Sequence, residues 1–130
     1  MDKATQKWIE IAEYDLKTAA AMLKSKRYLY VVFMCQQAIE KILKAIYTQQ
    51  KNETPPRTHN LPYLTQSLNL NLPESDKDLL FTLTNLYVES RYPEEQTKLS
   101  QILSPKQSTQ YLSRTKEVFK CLKEILPSNK

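Results

Sequence analysis

The residues best equipped for chemistry stand on one stretch, Tyr30 to Tyr47, reading YVVFMCQQAIEKILKAIY. Gln37, Glu40, Lys41 and Lys44 fall there at helical spacing, so they share one face of an α-helix. A carboxylate flanked by two amines and an amide has two uses. Glu40 can hold its neighbours as an ion-pair network, or it can orient Lys44, together with a guanidinium from another helix, toward a phosphate. Further along the chain Arg91 adds a guanidinium at a helix end, where a cation suits the helix dipole whatever else it does. Tyr87 and Tyr92 lie close to it in sequence and offer flat faces to a base, although aromatic residues at a helix end also serve as packing. His59 is the only histidine. It stands where a short helix is expected to begin, a boundary or capping position, and would become a proton carrier only if the fold brought it to Arg91. Asp15 completes the set at the border of an apolar face. There a carboxylate either reaches water or pairs with a basic group on a neighbouring helix.

The elements that must position these groups are helices. Trp8, Ala12, Leu16, Ala19 and Leu23 mark a first helix running from a cap at Asp2 or Thr5 to about Lys24. A short connection, Ser25 to Leu29, makes the next helix its antiparallel neighbour. On that second helix Val32, Cys35, Ile39, Ile42 and Ile46 form the apolar stripe beside the polar one, and fraying is expected near Gln50. Two successive prolines turn Lys51 to Arg57 into a loop. A short third helix carries Leu61, Leu64 and Leu68, capped by Thr58 or Asn60. The fourth starts with a capping-box-like Ser75 and Asp78, runs along Leu79, Leu83, Leu86 and Ser90, and stops at about Arg91 because Pro93 disfavours helix at Tyr92. Residues 94 to 104 read as an irregular connection whose Leu99, Ile102 and Leu103 fold back on the core. Ser104, Pro105 and Gln107 open the last helix, which follows Tyr111, Thr115, Val118, Leu122 and Ile125 to Pro127. The expectation is an all-α, single-domain, up-and-down bundle of about five helices, with its core between about residues 8 and 126.

Composition narrows the function classes. A chain of 130 residues is one domain and buries about two thirds of its extended surface without staples. Cys35 and Cys121 both fall on the apolar side of helical patterns and lack ligand or disulfide spacing, so the chain reads as cytosolic, metal-free and without a cofactor. No signal peptide or membrane-spanning run is expected. There is no glycine, which removes phosphate-cradling loops and dinucleotide fingerprints, both of which need it for positive φ or close backbone approach. The net charge of +5 permits an anionic partner without requiring one, and the basic run Lys116 to Lys123 reads as a solvated face.

Four fragments in order now carry a resemblance: Trp8, Ala12, Asp15 and Leu16; QQAIEKILKA from Gln36 to Ala45; THNL from Thr58 to Leu61 after a proline-containing loop; and SRYP from Ser90 to Pro93. Together they resemble the HEPN domain (higher eukaryotes and prokaryotes nucleotide-binding), over about Trp8 to Leu126. The resemblance implies a helical bundle that usually dimerises and, in many prokaryotic members, works beside a minimal nucleotidyltransferase in a toxin–antitoxin-type pair. Other HEPN proteins are metal-independent ribonucleases whose site is an arginine followed four to six residues later by histidine. That chemistry needs no metal because RNA supplies its own 2′-hydroxyl nucleophile, leaving the protein acid/base work and charge stabilisation.

Arg91 matches the family arginine, but Glu95, Gln96 and Thr97 occupy the histidine positions. Two readings follow. In the first the chain is a non-catalytic HEPN binding module, with Glu40, Lys44 and Arg91 lining a cleft between the second and fourth helices, and a nucleotidyltransferase, a nucleotide or RNA, and its own copy as partners. In the second it is a ribonuclease with an off-pattern site, Arg91 with His59. Leu29, Tyr30 and Leu99, outside the apolar stripes, are expected to contact the second copy.

Overall fold

The computed structural model describes residues 1–127, which form six helices and, among those residues, no strand. They are α1 (Lys3–Lys24), α2 (Tyr28–Lys51), α3 (Leu61–Ser67), α4 (Glu74–Glu89), α5 (Pro93–Ile102) and α6 (Pro105–Ile125). None is long and apolar enough to cross a membrane.

The start signals act as their chemistry requires. Asp2 Oδ1 accepts from the Thr5 amide at 2.8 Å, and Asn60 Oδ1 accepts from the Tyr63 amide at 3.0 Å. Ser104 and Gln107 make the reciprocal capping box at the head of α6. The expected box of Ser75 and Asp78 does not form. There α4 begins two residues earlier, after Pro73, with no side-chain cap, and Glu74 and Asp76 suit the positive end of its dipole instead. At its other end α4 stops at Glu89, and Ser90 Oγ donates back to the Tyr87 carbonyl at 2.7 Å.

α2 is the central rod. It touches α1, α3, α4, α5 and α6, and Val31, Val32, Cys35, Ala38, Ile39, Ile42, Leu43, Ala45 and Ile46 are buried along it. Each fully buried aliphatic side chain there contributes roughly 1.5–3 kcal/mol of transfer free energy. The apolar surface is thus wider than the single stripe the spacing suggests, because a helix enclosed on several sides is apolar on several sides.

The passage from residue 94 to 104 is the main departure from expectation. It is a helix, α5, with Pro93 in its first turn and Glu94 and Glu95 at the positive end of its dipole. Its pattern is faint because one side chain anchors it, Leu99 at 3% exposure, while Ile102 stays 65% exposed. Leu99 is therefore spent inside its own chain and is not available to a second copy, whereas Tyr30 remains 46% exposed. Cys121 also departs from expectation. The buried face of α6 is Ser108, Leu112, Thr115, Val118, Phe119 and Leu122, which leaves Cys121 exposed on the far side.

Candidate functional site

The polar stripe of α2 turns inward. Glu40 is 1% exposed and accepts on both oxygens. Gln36 Nε2 lies 3.1 Å and His59 Nδ1 2.7 Å from Oε1, and Lys44 Nζ lies 3.0 Å from Oε2. Lys41 Nζ approaches the same Oε2 at 3.7 Å. The contacts continue along the helix: Gln37 Nε2 donates to Gln36 Oε1 at 2.7 Å, Lys41 Nζ donates to Gln37 Oε1 at 2.7 Å, and Lys41 Nζ stands 3.8 Å from Asp15 Oδ2 on α1. One unbroken chain of polar contacts therefore runs from Asp15 to His59. Of the two expectations for Asp15, the partner on a neighbouring helix is the one realised.

These environments set the protonation states. Burial pushes the Glu40 carboxyl upward, but hydrogen bonds from His59, Lys44 and Gln36 outweigh it and hold the group below the ordinary glutamate value. Glu40 is therefore an acceptor only, so Nδ1 of His59 carries the proton it donates, and in the neutral ring the lone pair is left on Nε2. Asp15 moves the other way. Burial raises its pKa, with Lys41 opposing and Glu40 adding to the rise.

His59 owes its place to the loop that precedes α3. Asn52, in the left-handed region at φ 54°, ends α2, the two prolines keep the helix from resuming, and the Thr58 amide turns back to the Pro56 carbonyl at 3.0 Å. Gln36 Nε2 then captures the His59 carbonyl at 2.8 Å, and the Leu61 amide donates to Thr84 Oγ1 on α4 at 3.2 Å. His59 is thus fixed across α2 by both its backbone and its ring; the helix cap itself is Asn60. The imidazole remains half-exposed and packs at 4.9 Å from the ring of Tyr87, which also meets Phe33 at 4.9 Å.

Arg91 approaches this cluster from the end of α4. Its guanidinium lies 5.8 Å from the same Tyr87 ring, and no carboxylate among the described residues pairs with it. Burial raises the Tyr87 hydroxyl pKa, while the charge of Arg91 and a hydrogen bond with Gln37 pull it down and Glu40 adds to the rise. A groove of about 430 Å³ opens beside Arg91, with Tyr30, Phe33, Tyr87, Ser90 and Gln96 among its walls. Tyr92 is 60% exposed next to it.

The predicted site therefore divides. Asp15, Gln37, Glu40, Lys41 and Lys44 come together with His59 as a closed network, while Arg91 gathers with Tyr87 and the groove. Lys44, expected beside Arg91 as a second phosphate cation, instead lies 7% exposed between Glu40 and the Trp8 ring of α1, 5.7 Å from the ring centre. Three contributors escaped the sequence reading: Gln36, Phe33 and Trp8. Gln36 had a usable signal, its four-residue offset from Glu40. The roles of Phe33 and Trp8 depend on which neighbours the bundle supplies.

The described residues thus form a single helical bundle around a buried carboxylate network, with Arg91 beside an aromatic-walled groove. The HEPN domain model matches residues 5–125, so the chain belongs to the HEPN family. The crystal structure of TT1696 from Thermus thermophilus superposes with a TM-score of 0.81 at 20% sequence identity, covering 96% of this chain and 100% of that one. At that identity the likeness speaks for the fold alone. No match was found among curated protein sequences.

Proposed function

We propose that this protein is a HEPN binding module whose groove beside Arg91 takes a phosphate together with a stacked base, as a nucleotide or an RNA end supplies them. Its protein partners in this reading are a minimal nucleotidyltransferase, in a toxin–antitoxin-type pair, and a second copy of itself. One observation carries the proposal: among the described residues Arg91 has no carboxylate partner, and it stands over Tyr87 at a groove walled by aromatic side chains. A guanidinium offers a planar fork of donors that fits phosphate, and an aromatic wall accepts any base. The carboxylate network behind it braces His59 and α2 and does not itself contact ligand.

The test is co-expression with the adjacent reading frame, followed by binding of a short labelled RNA and of a mononucleotide to the purified complex. A stable complex, with affinity lost in Arg91→Ala, supports the reading. Failure to co-purify removes the nucleotidyltransferase partner, and equal affinity in wild type and Arg91→Ala removes the groove.

A second reading has its own observation. The Nδ1–H of His59 is committed to Glu40 at 2.7 Å, which leaves Nε2 of a half-exposed ring able to accept a proton. With Arg91 against the same tyrosine, a metal-independent ribonuclease is the activity these groups would support. Labelled RNA incubated without added metal, and cleavage lost equally in His59→Ala and Arg91→Ala, would establish it. RNA left intact at every protein concentration leaves the binding module.

A further inference from the structure

Three residues stand four to six positions after Arg91, and the fold gives them different work. Glu95 pairs with Lys98 at 3.6 Å along α5, and Thr97 Oγ1 donates to the Pro93 carbonyl at 3.1 Å, so both are engaged within their own helix. Gln96 is half-buried and lines the groove beside Arg91. Its backbone N–H closes the first turn of α5 on the Tyr92 carbonyl at 2.8 Å, which fixes where the side chain begins. Among the described residues its side-chain amide has no hydrogen-bond partner, whereas those of Gln36 and Gln37 on the facing helix are both engaged. A surface amide is ordinarily satisfied by water alone. Gln96 differs in being set into the wall of a groove that already holds a guanidinium and three aromatic rings.

We propose that Gln96 is the specificity-determining residue of this groove, its amide reading the edge of a base stacked on the aromatic wall, with adenine preferred. The inference rests on the reading of the groove as a nucleotide or RNA-end site, and names the base that site takes. An amide presents a donor and an acceptor side by side and has no proton to titrate, so it recognises a base without doing acid/base chemistry on the ligand. Tyr30, Phe33 and Tyr87 form a continuous run of rings, with successive centroids 6.3 and 4.9 Å apart. Stacking on such a wall grows with the area of the base, which favours a purine. Between the purines the amide decides. Adenine offers N6–H beside an acceptor on two edges, with N7 on one and N1 on the other, so a glutamine can engage it from either side. Guanine offers such a pair on one edge only, because its O6 and N7 both accept. The partner suited to those two acceptors is an arginine fork, and in this groove Arg91 is assigned to the phosphate. The volume of about 430 Å³ falls within the range of small-ligand sites.

The experiment titrates the full chain with AMP, GMP, CMP and UMP by calorimetry. Wild type should bind AMP about tenfold more tightly than GMP, and the two pyrimidine nucleotides more weakly still. Purine riboside monophosphate, which keeps N7 and N1 but lacks the N6 amine, should bind about tenfold more weakly than AMP. Gln96→Met keeps the length of the side chain without its amide, and should bind AMP, GMP and the amine-free analogue alike. Equal affinity of wild type for AMP and the analogue overturns the proposal, and that comparison needs no variant to fold. So does an AMP preference that survives in Gln96→Met, or a preference for any other base. Four nucleotides bound equally, with binding lost in Arg91→Ala, would leave the groove standing and deny Gln96 this role. Binding of none of them would remove the groove itself, and the base reading with it.

Discussion

Glu40 and Arg91 both act on the Tyr87 hydroxyl, and the protein houses them in opposite ways. Glu40 is enclosed, and both its oxygens are occupied by Gln36, His59 and Lys44. Arg91 is exposed and has only a ring beneath it. A buried charge must be fully partnered because its desolvation is otherwise uncompensated, whereas an exposed one can stay unpaired at little cost. The contrast therefore separates a charge that secures the bundle from one proposed to face a ligand, although both act on one tyrosine.

Glu40→Ala should have the largest effect. It strands the Lys44 amine between α1 and α2 and frees His59 and Gln36 from their shared acceptor, a change expected to cost about 3–5 kcal/mol of stability. Urea unfolding measures it directly. A loss below about 1 kcal/mol would mean that the network is decoration on a bundle held by its apolar core. Arg91→Ala should do the reverse. Stability should stay within about 0.5 kcal/mol of wild type, while affinity for a short RNA should fall by about 1.5–3 kcal/mol, the worth of charge-assisted hydrogen bonds. A destabilised Arg91→Ala would erase the distinction between the two regions.

How far the sequence foretold this division depends on the range of the interaction. The long helices were legible because their caps and apolar periods are local, as the box of Ser104 and Gln107 and the cap at Asp2 show. The α2 polar stripe was legible too, since Glu40 and Lys44 are four apart. What the stripe faces was not legible. Lys44 and Arg91 look alike as cations in sequence, and only the packing of Trp8 over one and of Tyr87 under the other assigns them different work. The pairing of His59 with Glu40 spans 19 residues across a proline-held loop, so no periodicity encodes it. α5 was missed because a helix with one buried anchor has almost no apolar period to read.

Acid should sharpen the comparison from the Glu40 side. Its carboxyl sits below the ordinary glutamate value, so as pH falls the unfolded chain takes up the proton first. The stabilisation is complete above the ordinary glutamate range and drains away as pH drops through that range to the lower value in the fold. Unfolding free energies measured across a pH series should decline in acid, and Glu40→Gln should flatten the decline. An equal decline in the variant would assign the acid sensitivity to other carboxylates.

Asp15 tests the far end of the network, where the smallest effect is expected. Burial raises its pKa, opposed by Lys41 at 3.8 Å. Asp15 is thus a carboxylate whose surroundings disfavour its charge, the reverse of Glu40 within the same chain of contacts. A raised pKa means that the folded protein takes the proton first, so Asp15 costs stability at neutral pH, and that cost is relieved as pH falls through its folded value. Asp15→Asn removes the cost and the Lys41 contact together, and the two changes should leave stability within about 0.5 kcal/mol of wild type. A double-mutant cycle with Lys41→Met should give a coupling below about 1 kcal/mol, as expected for a loose pair near the surface. A coupling of several kcal/mol would show that the buried network extends as one unit from His59 to α1. The boundary between bracing and binding charges would then have to be redrawn to include α1.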